Sequence, residues 1–379
     1  MSAKTDHSNS HAVIDSEHFP RLIDALRKRG YQTLGPTVRD NAVVYDEIGG
    51  VDDLPIGWVD QQEPGAYRLT RSDKNTLFAY VVGPHGWKKY LYPPILKLWT
   101  ARREGHRFEV SEANGDAPRR ALIGVRACEL AAIAVQDKVL LDGPFADPWY
   151  KRYRESVLIV AVNCTRAGGN CFCASMNTGP QATSGFDLAL TEMVDGSAHC
   201  FIAESGTALG AEVLRDVPNR KADSAEVKAA QEAIKHAAAQ MEKTLDTSGI
   251  KELLYRSFDH PRWAEVARRC LTCGNCTMVC PTCFCVTVED SADLTVKHAE
   301  RRRKLDSCFT ADFSYIHGGS IRPSALSRYR QWMTHKLASW QDQFGISGCV
   351  GCGRCITWCP VGIDITEEAR AIRGTPEKS

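Results

Sequence analysis

The chain has 379 residues, of which 43% are hydrophobic and 25% charged, the composition of a globular protein long enough for two domains. Its formal net charge of +1 gives no bulk attraction to nucleic acid or to an acidic membrane, and no apolar run is long enough to span a bilayer. The unusual feature is the 16 cysteines. Because the polar first dozen residues lack the apolar core of a secretion signal, we predict a cytoplasmic protein whose thiols bind metal, with that first stretch disordered.

Strand-like and helix-like segments alternate from residue 13 to about residue 215. Apolar runs at Leu77–Val82, Ala121–Val125 and Val157–Val162 predict strands, and the residues after Cys128 place apolar side chains at helical spacing. Strands that alternate with helices indicate an α/β layer arrangement. We therefore predict an α/β domain over residues 1–245.

Four cysteines of this region fall in and after the predicted strands. Cys128 and Cys164 each follow a predicted strand, and Cys171 and Cys173 stand in the segment GGNCFC. If the two strands are parallel neighbours, their thiols meet at the carboxyl edge of the sheet, where open α/β folds bind ligands. The four thiols could hold a [4Fe–4S] cluster, but this spacing is not specific, so zinc and buried free thiols remain alternatives.

A single helix is predicted over residues 223–245, where it carries the chain out of the first domain. Asp223 and Glu226 have the spacing of a capping box, and apolar residues then recur on one face. The remaining residues, 246–379, are rich in cysteine, basic residues and helix formers. We predict that they form a mainly α-helical domain.

One cysteine motif occurs twice in this second domain. It reads C-x2-C-x2-C-x3-C-P, with Cys270, Cys273, Cys276, Cys280 and Pro281 in the first copy and Cys349, Cys352, Cys355, Cys359 and Pro360 in the second. This is the run of bacterial ferredoxins, in which the fourth cysteine ligates the other cluster. Structural zinc is the alternative, but zinc sites are usually built from two separated C-x2-C pairs.

The exchange of fourth ligands predicts two [4Fe–4S] clusters with defined ligand sets. One set is Cys270, Cys273, Cys276 and Cys359, and the other is Cys349, Cys352, Cys355 and Cys280. Because each set takes cysteines from both motifs, the two motifs must lie close together in space, although a long insert separates them in the sequence. The insert contains the segment ALSRYRQWMTHKLASW, which looks helical and indicates the helical type of two-cluster ferredoxin domain.

Other residues near the motifs have open roles. Arg354 lies between two ligands, and we predict that it raises the reduction potential of its cluster, the alternative being a solvated surface charge. Further cysteines could line the cluster pocket or bind something more, and we favour buried thiols for them. They are Cys283, Cys285, Cys308 and Cys200.

Motifs for substrate conversion are absent from the sequence. No G-x-G-x-x-G follows a predicted strand, no Walker A loop occurs, and no H-E-x-x-H occurs. We therefore predict an electron carrier that has no catalytic site of its own.

Several segments together resemble a known family. They are VRACELAAIAVQD, NCTRAGGNCFCASMNTGP, GFDLALTE, HPRWAEVARRCLTCGNCTMVCPTCFC, DSCF and CVGCGRCITWCP. The chain is similar to the β subunits of soluble NAD(P)-linked nickel–iron hydrogenases of the sulfhydrogenase type, and also to the corresponding iron–sulfur subunit of anaerobic sulfite reductase. The N-terminal cysteines lie within matching segments, which favours a third cluster there.

The resemblance implies a relay subunit within a larger assembly. Its partners would be a flavoprotein NAD(P)H-reductase subunit, together with the small and large subunits of a nickel–iron hydrogenase. The alternative is the same relay role in a sulfite or sulfur reductase.

Overall fold

The computed structural model describes residues 11–112, 117–196 and 198–374. The predicted disorder of the amino terminus concerns residues that lie almost entirely outside these ranges. Within them, no helix has both the length and the apolar character needed to cross a membrane.

The described residues form sixteen strands and thirteen α-helices. The strands are β1 (Ala12–Asp15), β2 (Gln32–Arg39), β3 (Ala42–Glu47), β4 (Trp58–Glu63), β5 (Ala66–Arg71), β6 (Ile95–Glu104), β7 (Arg107–Glu112), β8 (Arg120–Val125), β9 (Val157–Val162), β10 (Leu188–Asp195), β11 (Ala198–Ser205), β12 (Arg220–Lys221), β13 (Val286–Ala292), β14 (His298–Leu305), β15 (Tyr315–Ile316) and β16 (Gly319–Ser320). The helices are α1 (Phe19–Lys28), α2 (Lys88–Leu91), α3 (Ala127–Leu140), α4 (Pro148–Glu155), α5 (Ala208–Arg215), α6 (Ser224–Ala239), α7 (Ile250–Arg256), α8 (Arg262–Arg269), α9 (Asn275–Met278), α10 (Ala325–Thr334), α11 (Trp340–Phe344), α12 (Arg354–Thr357) and α13 (Ile365–Gly374). Short 3-10 turns cover Ser16–His18 and Val51–Asp53, and a π-helical turn covers His335–Ser339.

An eight-stranded mixed sheet forms the amino-terminal region, in the order β12-β1-β11-β10-β9-β8-β2-β3. Its centre, β10-β9-β8-β2, is parallel. The strands predicted at Ala121–Val125 and Val157–Val162 are β8 and β9, and they are parallel neighbours. Because parallel strands are buried on both faces, they appear in the sequence as continuous apolar runs. The prediction of an α/β amino-terminal region is confirmed.

Two helical layers cover this sheet. On one face α1 and α5 pack through Leu22 and Val213 against strand residues such as Val160. On the other face α3 and α4 pack through Ile133 and Tyr150 against the strand residues whose side chains point to this second face. Alternation along the strands therefore builds two separate hydrophobic cores. The loops after β8 and β9 emerge at the carboxyl edge, where the candidate site lies.

The strand predicted at Leu77–Val82 is wrong, because these residues form no strand. Side chains, instead of a neighbouring strand, bind their backbone. Glu192 accepts hydrogen bonds from the N–H groups of Leu77 (2.6 Å) and Phe78 (2.8 Å), and Asp60 accepts one from Val81 (2.6 Å). Since these partners satisfy the buried amides, the segment is buried without joining a sheet.

The predicted helix over residues 223–245 is shorter in the structure, where α6 ends at Ala239. Its capping box is present. Asp223 accepts from the Glu226 N–H at 2.8 Å, and Glu226 accepts from the Asp223 N–H at 2.9 Å. Leu245, beyond the helix, is buried in the carboxyl-terminal core.

The carboxyl-terminal region contains α7 to α13 around a core that includes Trp263, Trp332 and Met333. The insert between the motifs includes the predicted helical segment, as α10 and the π-helical turn, but also the strands β13 to β16. The strand β14 pairs with β6, so β13-β14-β6-β7 is one sheet built from both regions. The division at residue 245 thus separates two segments of sequence that pack closely together.

Candidate iron–sulfur centres

The first cysteine motif folds into a tight turn before α9. Thr272 and Gly274 both have left-handed backbone conformations, with φ of 51° and 76°. At Gly274 a Cβ would lie 2.9 Å from the hydroxyl oxygen of Ser307, so the position is restricted to glycine. The second motif repeats the arrangement, because Gly353, with a φ of 76°, precedes α12. Each short helix carries the third cysteine of its motif.

An apolar pocket lies inside the first turn. Its walls include four cysteines of one predicted set, together with Cys355 and three aromatic rings: Cys270, Cys273, Cys276, Cys359, Phe309, Tyr329 and Trp332. Cys359 is contributed by the second motif, so the structure brings together the thiols that the crossover rule assigns to one cluster. Their ligation of iron stays a prediction.

The second predicted set also converges. Burial, and then the neighbouring thiols of Cys352 and Cys280, raise the pKa of Cys349 to about 12, against the lowering effect of a nearby lysine. Burial and the thiols of Cys349, Cys352 and Cys280 likewise raise the pKa of Cys355 well above its usual value. Cys280, from the first motif, therefore lies among the first three cysteines of the second motif. This proximity is what the second predicted ligand set requires.

The nearby lysine is Lys336, which lies on the π-helical turn and is buried. Its amine is 3.3 Å from the sulfur of Cys280, 3.1 Å from the hydroxyl of Thr282 and 3.0 Å from the carbonyl of Gly348. A hydrogen bond from the Cys283 thiol, together with the charge of Lys336, holds the pKa of Cys280 well below its usual value. The site therefore favours a thiolate at Cys280.

The four amino-terminal cysteines lie together at the carboxyl edge of the sheet. Burial, and then the thiol of Cys164, raise the pKa of Cys171 to about 12. Burial, and then the thiols of Cys171 and Cys164, raise the pKa of Cys173, and burial and Cys173 raise that of Cys128. Because β8 and β9 are parallel neighbours, the cysteines that follow them lie at one edge of the sheet, as the sequence predicted.

Two buried arginines and one buried glutamate lie next to these thiols. Arg126 donates to the carbonyls of Phe78 (2.8 Å) and Tyr80 (2.7 Å) and lowers the pKa of Cys164 against the larger effect of burial. Arg354 pairs with Glu129 at 2.5 Å, so it is not a solvated surface charge.

The donor atoms and the charges fit iron–sulfur clusters. Every member of the three groups offers thiol sulfur, which suits iron–sulfur clusters and zinc. In the described ranges, no three histidine, cysteine or acidic side chains are grouped closely enough to hold a single metal ion. Two buried guanidinium nitrogens, Nε of Arg126 and Nη1 of Arg354, have no hydrogen-bond partner among the described residues. A cluster of net negative charge with acceptor sulfides suits both nitrogens.

Comparison with known proteins identifies the class and then the family. Residues 269–363 match the 4Fe-4S dicluster domain family, so the chain is an iron–sulfur protein with [4Fe–4S] clusters and an electron-transfer role. Over 354 residues, 93% of this chain and 95% of the relative, it is 30% identical to the sulfhydrogenase 2 subunit beta of Pyrococcus furiosus. The chain belongs to this family of sulfhydrogenase β subunits, as its sequence motifs predicted. No solved structure matches it.

Several charged residues of these centres were missed in the sequence, among them Arg126, Glu129 and Lys336. Glu129 lies in CELAAIAV and Lys336 in WMTHKLASW, and both are buried. A single charge inside an apolar helical segment was the available signal, because such a charge requires a buried partner.

The crossover can be tested with two serine variants. We expect Cys280→Ser to alter the spectrum of the cluster at Cys349, Cys352 and Cys355, and Cys276→Ser to alter that of the other cluster. The measurement is Mössbauer or EPR spectroscopy of both variants, reduced under argon. Damage to the same cluster in both variants would show that the ligand sets are wrong.

Proposed function

We propose that this chain relays single electrons between a flavoprotein subunit linked to NAD(P)H and the catalytic subunit of a nickel–iron hydrogenase, in the cytoplasm. The observation that supports this is the arrangement of three thiol groups in one continuous series through the interior. When bound, [4Fe–4S] clusters supply one-electron oxidation and reduction. The protein's contribution is to hold the sites close together and to set the charge around them.

The series is continuous because single residues join neighbouring groups. Cys352, of the second ferredoxin set, affects the pKa values of Cys128, Cys171 and Cys173 at the amino-terminal site. At the other end Cys276, of the first ferredoxin set, affects the pKa of Cys355. The second ferredoxin set therefore lies between the two others, and we propose that the amino-terminal four cysteines hold a third [4Fe–4S] cluster.

The first ferredoxin site reaches the surface. Cys273 is exposed, whereas the amino-terminal cysteines are buried or half-buried. Three apolar side chains near it are exposed, namely Leu271 (61%), Met278 (47%) and Val361 (37%). An apolar surface at the exposed end of a relay suits the docking of a redox partner, because electron transfer requires close approach.

The opposite end of the series also adjoins the surface. An open groove passes Ala127, Ala174 and Gly179, each next in chain or space to Cys128 or Cys173. A relay between two partners needs access at both ends, and this groove gives it. We place one partner at each end without fixing which is the flavoprotein.

The flavin belongs on another chain in this proposal, because hydride chemistry moves two electrons and the thiol sites here suit one-electron carriers. We expect the isolated, cluster-loaded chain to keep its visible absorption when NADH or NADPH is added under argon. Addition of the flavoprotein subunit should then bleach it. Bleaching without that subunit would reveal a nicotinamide-reactive cofactor on this chain and exclude a pure relay.

The relationship to a sulfhydrogenase subunit favours the hydrogenase assembly over a sulfite or sulfur reductase. Anaerobic purification of the native complex and identification of its chains tests this choice. A nickel–iron subunit pair supports the proposal, whereas a sulfite or sulfur reductase partner would assign the chain to the reductase.

A further inference from the structure

Three more cysteines return to the cluster region between the two ferredoxin motifs. Cys283 and Cys285 follow the first motif, and the hairpin of β13 and β14 brings Cys308 back beside them. At the base of the hairpin the N–H of Asp306 donates to the carbonyl of Cys285 at 2.9 Å. The sequence favoured buried thiols packed against the cluster domain, and the fold groups these thiols.

Each of these thiols lies close to another thiol and to cations. Cys308 faces the sulfur of Cys285 with both its thiol and its backbone N–H. The thiol of Cys283 lies beside the sulfur of Cys280. Lys336 and Lys88 are close to both Cys283 and Cys285. The three cysteines therefore border one positively charged region at the edge of the second ferredoxin site.

The two lysines lack the partners that buried cations normally have. The amine of Lys88 lies 2.8 Å and 2.9 Å from the carbonyl oxygens of Cys280 and Cys283. The amine of Lys336 is bonded to a sulfur, a hydroxyl and a carbonyl. No ion pair with a carboxylate is formed by either amine among the described residues. The thiolate favoured at Cys280 is the anionic partner of Lys336. The bonds of Lys88 go to carbonyl oxygens alone, and because burying an unpaired charge is costly, an anionic group is expected beside it.

We propose that Cys283, Cys285 and Cys308 hold a fourth iron–sulfur cluster, a [4Fe–4S] unit with three cysteine ligands, beside the ferredoxin clusters. Cys280 is not counted, because it lies among Cys349, Cys352 and Cys355. A disulfide would involve two of the three thiols and, being neutral, would leave Lys88 without an anion. A cluster with three thiolates involves all three and carries negative charge.

The proposal accounts for all but one of the cysteines. Twelve belong to the three sites already described, and these three bring the total to 15 of the 16. The remaining one is Cys200 on β11, whose pKa is raised by burial and by the carboxylates of Glu226 and Asp15, with no thiol contributing. Cys200 is thus a matched control for removal of a cysteine.

The test is iron and sulfide analysis of the full chain, purified under argon. We expect about 16 iron atoms per chain, on four per [4Fe–4S] unit, and a loss of about four in the double variant Cys285→Ala/Cys308→Ala. Cys200→Ala should lose none. The three-cysteine cluster should also give the EPR signal of a [3Fe–4S] cluster after mild oxidation, and this signal should be absent from the double variant.

Folding is checked by the reduced EPR spectrum of the ferredoxin clusters, which should be unchanged in the double variant. If the double variant fails that check, Cys308→Ser, which preserves size, is measured by the same methods and should lose the same iron and the same signal. Equal iron in wild type and variant, or zinc in place of the lost iron, overturns the fourth cluster. Either result leaves the relay proposal standing, whereas absence of iron from the ferredoxin motifs would remove both.

Discussion

Replacement of Glu129 by alanine is expected to lower the free energy of unfolding by about 3–5 kcal/mol, the range for breaking a buried ion pair by removing one partner. Glu129 is buried and pairs with Arg354, which is also buried. Its second oxygen accepts from the hydroxyl of Tyr45 (2.8 Å), the indole N–H of Trp87 (3.1 Å) and the backbone N–H of Arg126 (3.1 Å). The variant leaves a guanidinium uncompensated in the interior.

The measurement is urea-induced unfolding under argon, followed by far-UV circular dichroism. The matched control is Glu232→Ala, because Glu232 also pairs with a cation, Lys235, but on the surface of α6. Exposed pairs of this kind contribute about 0.3–0.5 kcal/mol. Equal losses in the free energy of unfolding of the two variants would show that the buried network stabilises the protein no more than an exposed ion pair does. Glu129→Gln, which keeps some hydrogen bonds but not the charge, should fall between them.

Replacement of Lys336 by methionine is expected to lower the reduction potential of the cluster at Cys280 by about 90 mV. A positive charge stabilises the more negative, reduced state, so its removal makes reduction harder. Coulomb's law gives about 2 kcal/mol for one charge at roughly 8 Å and an effective dielectric constant of about 20. For a one-electron couple, about 59 mV corresponds to a tenfold change in the equilibrium constant, and so to about 1.4 kcal/mol.

An EPR-monitored redox titration measures this shift. Lys235→Met is the control, since Lys235 lies on the exposed face of α6, and its midpoint should equal that of the wild type. An unchanged or raised midpoint in Lys336→Met would refute the assignment. The structure also alters the expectation for Arg354. Because Glu129 neutralises Arg354, while Lys336 has no carboxylate partner among the described residues, we expect the lysine to have the larger effect on potential.

The central part of the fold was predictable because its signals are local. The strands β8 and β9 are continuous apolar runs, and a parallel, fully covered strand requires such a run. The same signal failed at Leu77–Val82. An apolar run shows that a segment is buried, but the partners of its amides, Glu192 and Asp60, are more than a hundred and about twenty residues away, respectively. Periodicity carries no information about such partners.

The hairpin of β13 and β14 was missed for a related reason. Its sequence is polar and contains the basic run Arg301–Lys304, which suggests a solvated segment. In the structure the basic side chains of β14 form ion pairs with acidic side chains of β13. Arg301 pairs with Asp290 at 2.7 Å, and Lys304 with Glu289 at 3.3 Å. Such cross-strand pairs stabilise a sheet, but they are recognisable only when the register is known.

In the candidate centres, too, some features could be predicted from the sequence and others could not. The ferredoxin motifs were evident because the cysteines and the glycines of each turn are close in sequence. The grouping of Cys285 with Cys308, and the burial of Lys336, depend on a hairpin and a π-helical turn that no spacing rule specifies. Sequence thus predicted the ligand sets of the local motifs, while the charges that surround them became visible only in three dimensions.

The contact between Gly351 and the loop of Cys173 limits how the protein can mature. A Cβ at Gly351 would lie 2.7 Å from the backbone N and Cα of Cys173, and the Phe172 N–H donates to the Gly351 carbonyl at 2.9 Å. The two loops interlock, and the thiols on both are buried beneath them. With clusters at these thiols, as we propose, we expect iron and sulfide to be delivered before this contact closes.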